Sequence, residues 1–134
     1  MSKDHLYYLN TLEKLAISSE GAANAKLAAC IVFKNQVVSF GFNRLKSHPF
    51  QKKFGKNADS IFLHAETDAI LNALKCVDVD DLKKSTLYIC RVKKINKKFY
   101  WGLSKPCEGC TRAIATFNIR RVYYSDDNGS FQSL

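Results

Sequence analysis

The chain has 134 residues, 46% hydrophobic and 25% charged, the balance of an ordinary globular domain rather than of a disordered or fibrous chain. Lys and Arg outnumber Asp and Glu by 21 to 12, a net charge of +9 that favours polyanions such as phosphates or nucleic acids and serves equally for solubility. With no apolar run of transmembrane length, no signal-peptide core and an odd five cysteines, the sequence predicts a single domain over 1–134 in the reducing cytoplasm, away from membranes.

In chain order, Leu6, Leu9, Leu12, Leu15 and Ala16 recur at helical spacing and predict an amphipathic helix over 4–19, with Gly21 ending it. The apolar run 27–33 and the run 37–42 predict a β-hairpin with its turn near Asn35, and Cys30 as a buried, inert thiol. From Asn43 to Ser60, basic and aromatic residues interleave in a loop longer than an ordinary connection, placed to wall a site or to lie solvated on the surface. A second helix follows over 61–76, then a polar connection over 78–84 and a third strand over 86–92 rich in β-formers. The lysine cluster Lys93, Lys94, Lys97 and Lys98 precedes Phe99, Tyr100 and Trp101, which reads as a turn and a short returning strand. A third helix spans 107–117 with Asn118 as its cap, a fourth strand spans 121–125, and the Asp126-Asp127-Asn128-Gly129 turn predicts a last antiparallel strand over 130–134.

Two short motifs carry chemistry. His64-Ala65-Glu66 opens the second helix, and Pro106-Cys107-Glu108-Gly109-Cys110 opens the third. A histidine and a Cys-x-x-Cys pair provide three ligands, the number a catalytic zinc centre needs when its fourth position is left to water. Thiolates at a helix start are favoured by the helix dipole and the free N–H groups there. A spacing of two residues turns His64 and Glu66 about 200° apart on a regular helix, which suits one ligand and one proton carrier. The rival is a closed structural zinc site, for which Cys76, Cys90, His48 and His5 are the available fourth ligands.

His64-Ala65-Glu66 together with Pro106-Cys107-x-x-Cys110, in a β-β-α-β-α-β order, resembles the cytidine and deoxycytidylate deaminase superfamily. The resemblance runs from about Leu27 to Ser125. It implies a three-layer α/β/α fold around a central mixed sheet of about five strands. It also implies one Zn2+ per chain held by His64, Cys107 and Cys110, with Glu66 as the catalytic proton carrier. Asn43, just after the second strand, and Ala65 become the substrate contacts. The implied reaction is hydrolysis of a cytosine-type base to the uracil type on a free nucleoside or nucleotide (cytidine, deoxycytidine or dCMP), with release of ammonia. Relatives commonly form homo-oligomers. Two departures stand out: the inserted stretch 92–105, able to clamp substrate or simply to pack on the core, and a C-terminus too short for a helical crossover, which resembles the antiparallel design of the free-cytidine branch and of several toxin or RNA-editing branches. Charge and insertion together supply a second reading, deamination on single-stranded DNA or RNA.

Overall fold

The computed structural model describes residues 2–18, 26–43 and 64–134. Beyond Asn43, the basic loop expected over 43–60 lies outside the described residues. Helix α1 (Ser2–Ser18) places Leu9, Leu12 and Ala16 on one face, and all three are fully buried. Strands β1 (Lys26–Phe33) and β2 (Gln36–Phe42) form the expected hairpin, closed by Lys34 and Asn35 at φ 52° and 63°. A two-residue turn with both φ values positive matches the right-handed twist of its strands. After α2 (Ala65–Ala73) and α3 (Val79–Leu82), a second such turn, Asn96 and Lys97 at 51° and 69°, joins β3 (Thr86–Ile95) to β4 (Lys98–Gly102). Helix α4 (Glu108–Thr116), β5 (Arg121–Ser125) and β6 (Phe131–Ser133) complete the order.

The sheet runs β2-β1-β3-β5-β6, with β3 and β5 parallel and the other pairs antiparallel. It has six strands, where about five were expected, because β4 shares one edge of β3 with β5. Thr86 to Ile89 pair with β5, and Arg91 to Ile95 pair with β4. The stretch read as a polar connection holds α3. Asp78 accepts the N–H of Asp81 at 2.9 Å while Asp81 accepts that of Asp78 at 3.2 Å, a reciprocal cap that satisfies two helix-end donors.

Strand alternation turns Cys30, Tyr88, Cys90 and Val92 toward α1, and Ile31, Leu87 and Ile89 toward the α2 and α4 layer. These two cores make the three-layer α/β/α architecture. Cys30 is buried as expected, its thiol pushed up to about 12 by desolvation. In the inserted hairpin, Phe99 and Trp101 pack against the α1-side core, and Tyr100 between them is exposed. Lys93 pairs with Asp127 at 3.1 Å, and Lys94 lies over the Phe99 ring. Among the described residues, no helix is long and apolar enough to cross a membrane.

Helix α2 is seated on β2 by polar bonds. Ser39 Oγ donates to the Ala69 carbonyl at 2.8 Å, Asn72 Nδ2 to that of Phe40 at 2.8 Å, and Phe42 N–H to Asp68 Oδ2 at 2.9 Å. At the far edge, Asp126 organises the β5–β6 turn. Its carboxylate accepts the N–H groups of Asn128 and Ser130 at 2.9 Å each and Gln132 Nε2 at 3.0 Å. These bonds, Gln132's foremost, hold its carboxyl below its ordinary 3.8. A depressed folded-state pKa adds stability above the unfolded value and loses it as pH falls through the folded one. Asp126→Asn should therefore lower Tm at pH 7, and the gap from wild type should close as thermal melts are taken below about pH 4. A gap independent of pH would mean that the charge is idle.

Candidate metal centre

Both motifs stand where an extended segment turns into a helix. His64 is the N-cap of α2 with φ −87° and ψ 160°, and Cys107 is the N-cap of α4 with φ −68° and ψ 173°. Each side chain therefore leaves the backbone ahead of the first helical turn. Cys110, three residues on, points back to the same end, and its N–H donates to Cys107 Sγ at 3.4 Å. His64 Nδ1 lies 3.2 Å from Cys110 Sγ and 3.5 Å from Cys107 Sγ, and the three donor atoms fall within 4.8 Å of one another.

Two sulfurs and an imidazole nitrogen at this separation fit zinc, which takes both donor types in a tetrahedral shell. The other cysteines and His5 stand apart. Cys90 faces α1, His5 stacks on Tyr123 at 3.9 Å, and Cys76 is exposed beyond the opposite end of α2. His48 lies outside the described residues. Cys107 is the more acidic thiol of the pair. Its pKa is pushed down to about 3 by the hydrogen bond from Cys110 and then by that with His64, whereas Cys110 is pushed up by giving that bond and by burial. The bond with Cys107 raises His64.

Glu66, in the first turn of α2, is 4% exposed, and desolvation raises its carboxyl above the ordinary value. It lines a pocket of about 360 Å³ together with His64, Cys107, Asn43, Arg91 and Lys105. Ala65 lines the same pocket and is fully buried. Asn43 is anchored as well: its Oδ1 accepts the N–H of Leu27 at 3.0 Å. Five of the six residues singled out from the sequence thus line one cavity, and the sixth, Cys110, is buried and joins the cluster through His64 and Cys107. Arg91, Ser104 and Lys105 join them unforeseen. The signal for Arg91 was its place two residues after Ile89 on the face of β3 that looks toward α2, a parity that depends on knowing the strand register. Ser104 Oγ donates to the Ile89 carbonyl at 3.1 Å and closes the seam where β4 and β5 meet along β3.

Residues 2–126 match the family described as "Cytidine and deoxycytidylate deaminase zinc-binding region". No curated protein matches the chain in sequence. Among solved structures it is similar to the dCMP deaminase of cyanophage S-TIM5 in apo form, at 23% identity, 92% of this chain, 83% of that one and a TM-score of 0.61. The same enzyme in complex with dCMP and dUMP gives 22%, 92%, 82% and 0.61. Cytidine deaminase from Burkholderia pseudomallei gives 17%, 97%, 91% and 0.65. At such identities these likenesses show the fold.

Proposed function

The chain belongs to the cytidine and deoxycytidylate deaminase family, with zinc as its cofactor, and we propose that it deaminates a cytosine-type base on a free nucleoside or nucleotide. The observation that carries this reading is the cluster of His64, Cys107 and Cys110, two of which line a pocket together with a buried carboxylate. His64, Cys107 and Cys110 would hold the zinc, with Ala65 and Asn43 against the substrate. When bound, zinc supplies Lewis acidity that brings the pKa of a water molecule to about 7.

Glu66 does the proton work. Walled off from bulk solvent, its carboxylate takes a proton from the attacking water and passes it to the ring nitrogen, then takes the second proton from the hydroxyl added to the ring carbon and gives it to the amino group, which leaves as ammonia as the carbonyl forms. Asn43, locked onto β1 through Leu27, offers a rigid amide at the mouth of the pocket.

The test is ammonia release by purified, zinc-quantified protein on cytidine, deoxycytidine, their monophosphates and short single-stranded oligonucleotides. Chelation should abolish release, and added Zn2+ should restore it with one ion per chain. A fully loaded protein that releases no ammonia from any of these would sink the proposal. The +9 charge keeps the nucleic-acid reading in the panel, where it would show as turnover falling steeply with salt. The hairpin gives that reading less support than its composition suggests, since Phe99 and Trp101 are turned to the core and Lys93 is paired.

A further inference from the structure

Among the described residues, the Arg91 side chain is built into the pocket wall with no hydrogen-bond or ion-pair partner. Its Nε is buried and makes no hydrogen bond, and among the described residues its guanidinium has no ion pair. The placement is firm. Arg91 N–H donates to Ser125 Oγ at 3.0 Å, Ser125 Oγ donates to the Gly102 carbonyl at 2.7 Å, and Gly102 stands opposite Arg91 across the β3–β4 pair. A Cβ at Gly102 would lie 3.2 Å from Arg91 Cδ, so the glycine makes room for the stem to lie flat along the strand. Asp127, which feels the Arg91 charge, is engaged by Lys93 and by Leu103 N–H at 3.0 Å.

A buried donor left unmatched is costly, and native proteins rarely carry one. The pocket's charge count points the same way. A divalent ion against two thiolates would be neutral, which leaves Glu66, among the described lining residues, as the one acid facing Arg91 and Lys105. The lining therefore has a surplus of positive charge on the wall formed by β3 and the segment before α4. A guanidinium fork is matched by two oxygens of a phosphate.

We propose that Arg91, assisted by Lys105, binds the 5′-phosphate of a mononucleotide, making the substrate of this site a cytosine nucleoside monophosphate rather than a nucleoside. This rests on the deaminase reading above. A terminal phosphate can end inside a pocket of this size, whereas a strand must leave it in two directions, which disfavours a polynucleotide at Arg91. The antiparallel β6, the feature resembling the free-cytidine design, contributes no residue to the pocket and does not bear on phosphate recognition.

The experiment compares kcat/KM for dCMP and deoxycytidine in the zinc-loaded wild type and in Arg91→Met, which keeps the stem against Gly102. The wild type should prefer dCMP, and the dCMP-to-deoxycytidine ratio should fall about 10- to 100-fold in the variant. Lys105→Met, at an exposed position, should lower the ratio less and mainly at low salt. A purely structural Arg91 would depress both substrates together and leave the ratio unmoved, which overturns the proposal. So would turnover confined to oligonucleotides. Titration calorimetry with the products, dUMP against deoxyuridine, reads the same subsite without turnover. Tighter binding of dUMP that is lost in Arg91→Met supports the subsite even if no cytosine compound is deaminated, and equal binding in the wild type rejects it.

Discussion

Glu66→Gln will give a folded, zinc-loaded protein whose ammonia release falls by about 10²–10⁴-fold, the usual contribution of a positioned acid–base group. The substitution keeps shape and hydrogen-bonding capacity but cannot accept and release a proton. Glu66 stands in the first turn of α2, two residues beyond the N-cap His64, and is not one of the three donors that converge on the metal position. Zinc content should therefore stay at one ion per chain. Stability should hold or rise, because a neutral amide in a site 4% exposed removes the cost of burying a carboxylate. Loss of activity without loss of stability is the mark of a group kept for chemistry. The measurements are metal analysis, thermal melting and ammonia release on one preparation. If the variant lost zinc and melted early, Glu66 would be holding the cluster together and its role as proton carrier would be wrong.

Most of the elements and the metal cluster were legible in the sequence because their signals are local. Alternating apolar runs bounded by Lys34-Asn35 mark a hairpin, and a cysteine at a helix N-cap with another three residues on can point only one way. Helix α3 was missed because its four residues carry no periodicity, and its signal lies in the Asp78 and Asp81 pair. The place of β4 in the sheet was hidden because β4 and β5 pair with successive halves of a single edge of β3, an arrangement set by tertiary contacts through Ser104 and Ser125. Arg91 was invisible for a related reason. In the sequence it is one residue of the third strand, just before the lysine cluster, with nothing local to say which face it takes. Only the pairing of Arg91 with Gly102 shows that it sits at the root of the hairpin, on the pocket side. The aromatic trio gave the opposite impression, since strand alternation turns Phe99 and Trp101 away from the site.

Gly41→Ala should destabilise the fold strongly for a single added methyl. An added Cβ would lie 2.2 Å from Ala69 N and 2.3 Å from the Ala65 carbonyl oxygen, both backbone atoms of α2, so no side chain can swing aside to admit it. Either the helix lifts off β2 or β2 bends. Lifting the helix stretches the bonds from Ser39, Asn72 and Asp68 that seat it. Overpacking commonly costs about 1–3 kcal/mol and more where the neighbour cannot yield, so a loss of at least about 3 kcal/mol is expected. For a domain of this size that is a fall in Tm of roughly 10 °C. The same displacement moves Ala65 and Glu66 and tilts the N-cap that aims His64 at Cys107 and Cys110. Zinc affinity should therefore fall together with stability, even though Gly41 touches no metal ligand. Thermal melting with and without zinc, with metal analysis after dialysis, checks both. A variant that melted early yet kept its zinc would show that the cluster holds α2 in place. An unchanged Tm would show that the helix can shift along β2, and that its close seat on Gly41 does not set the position of Glu66.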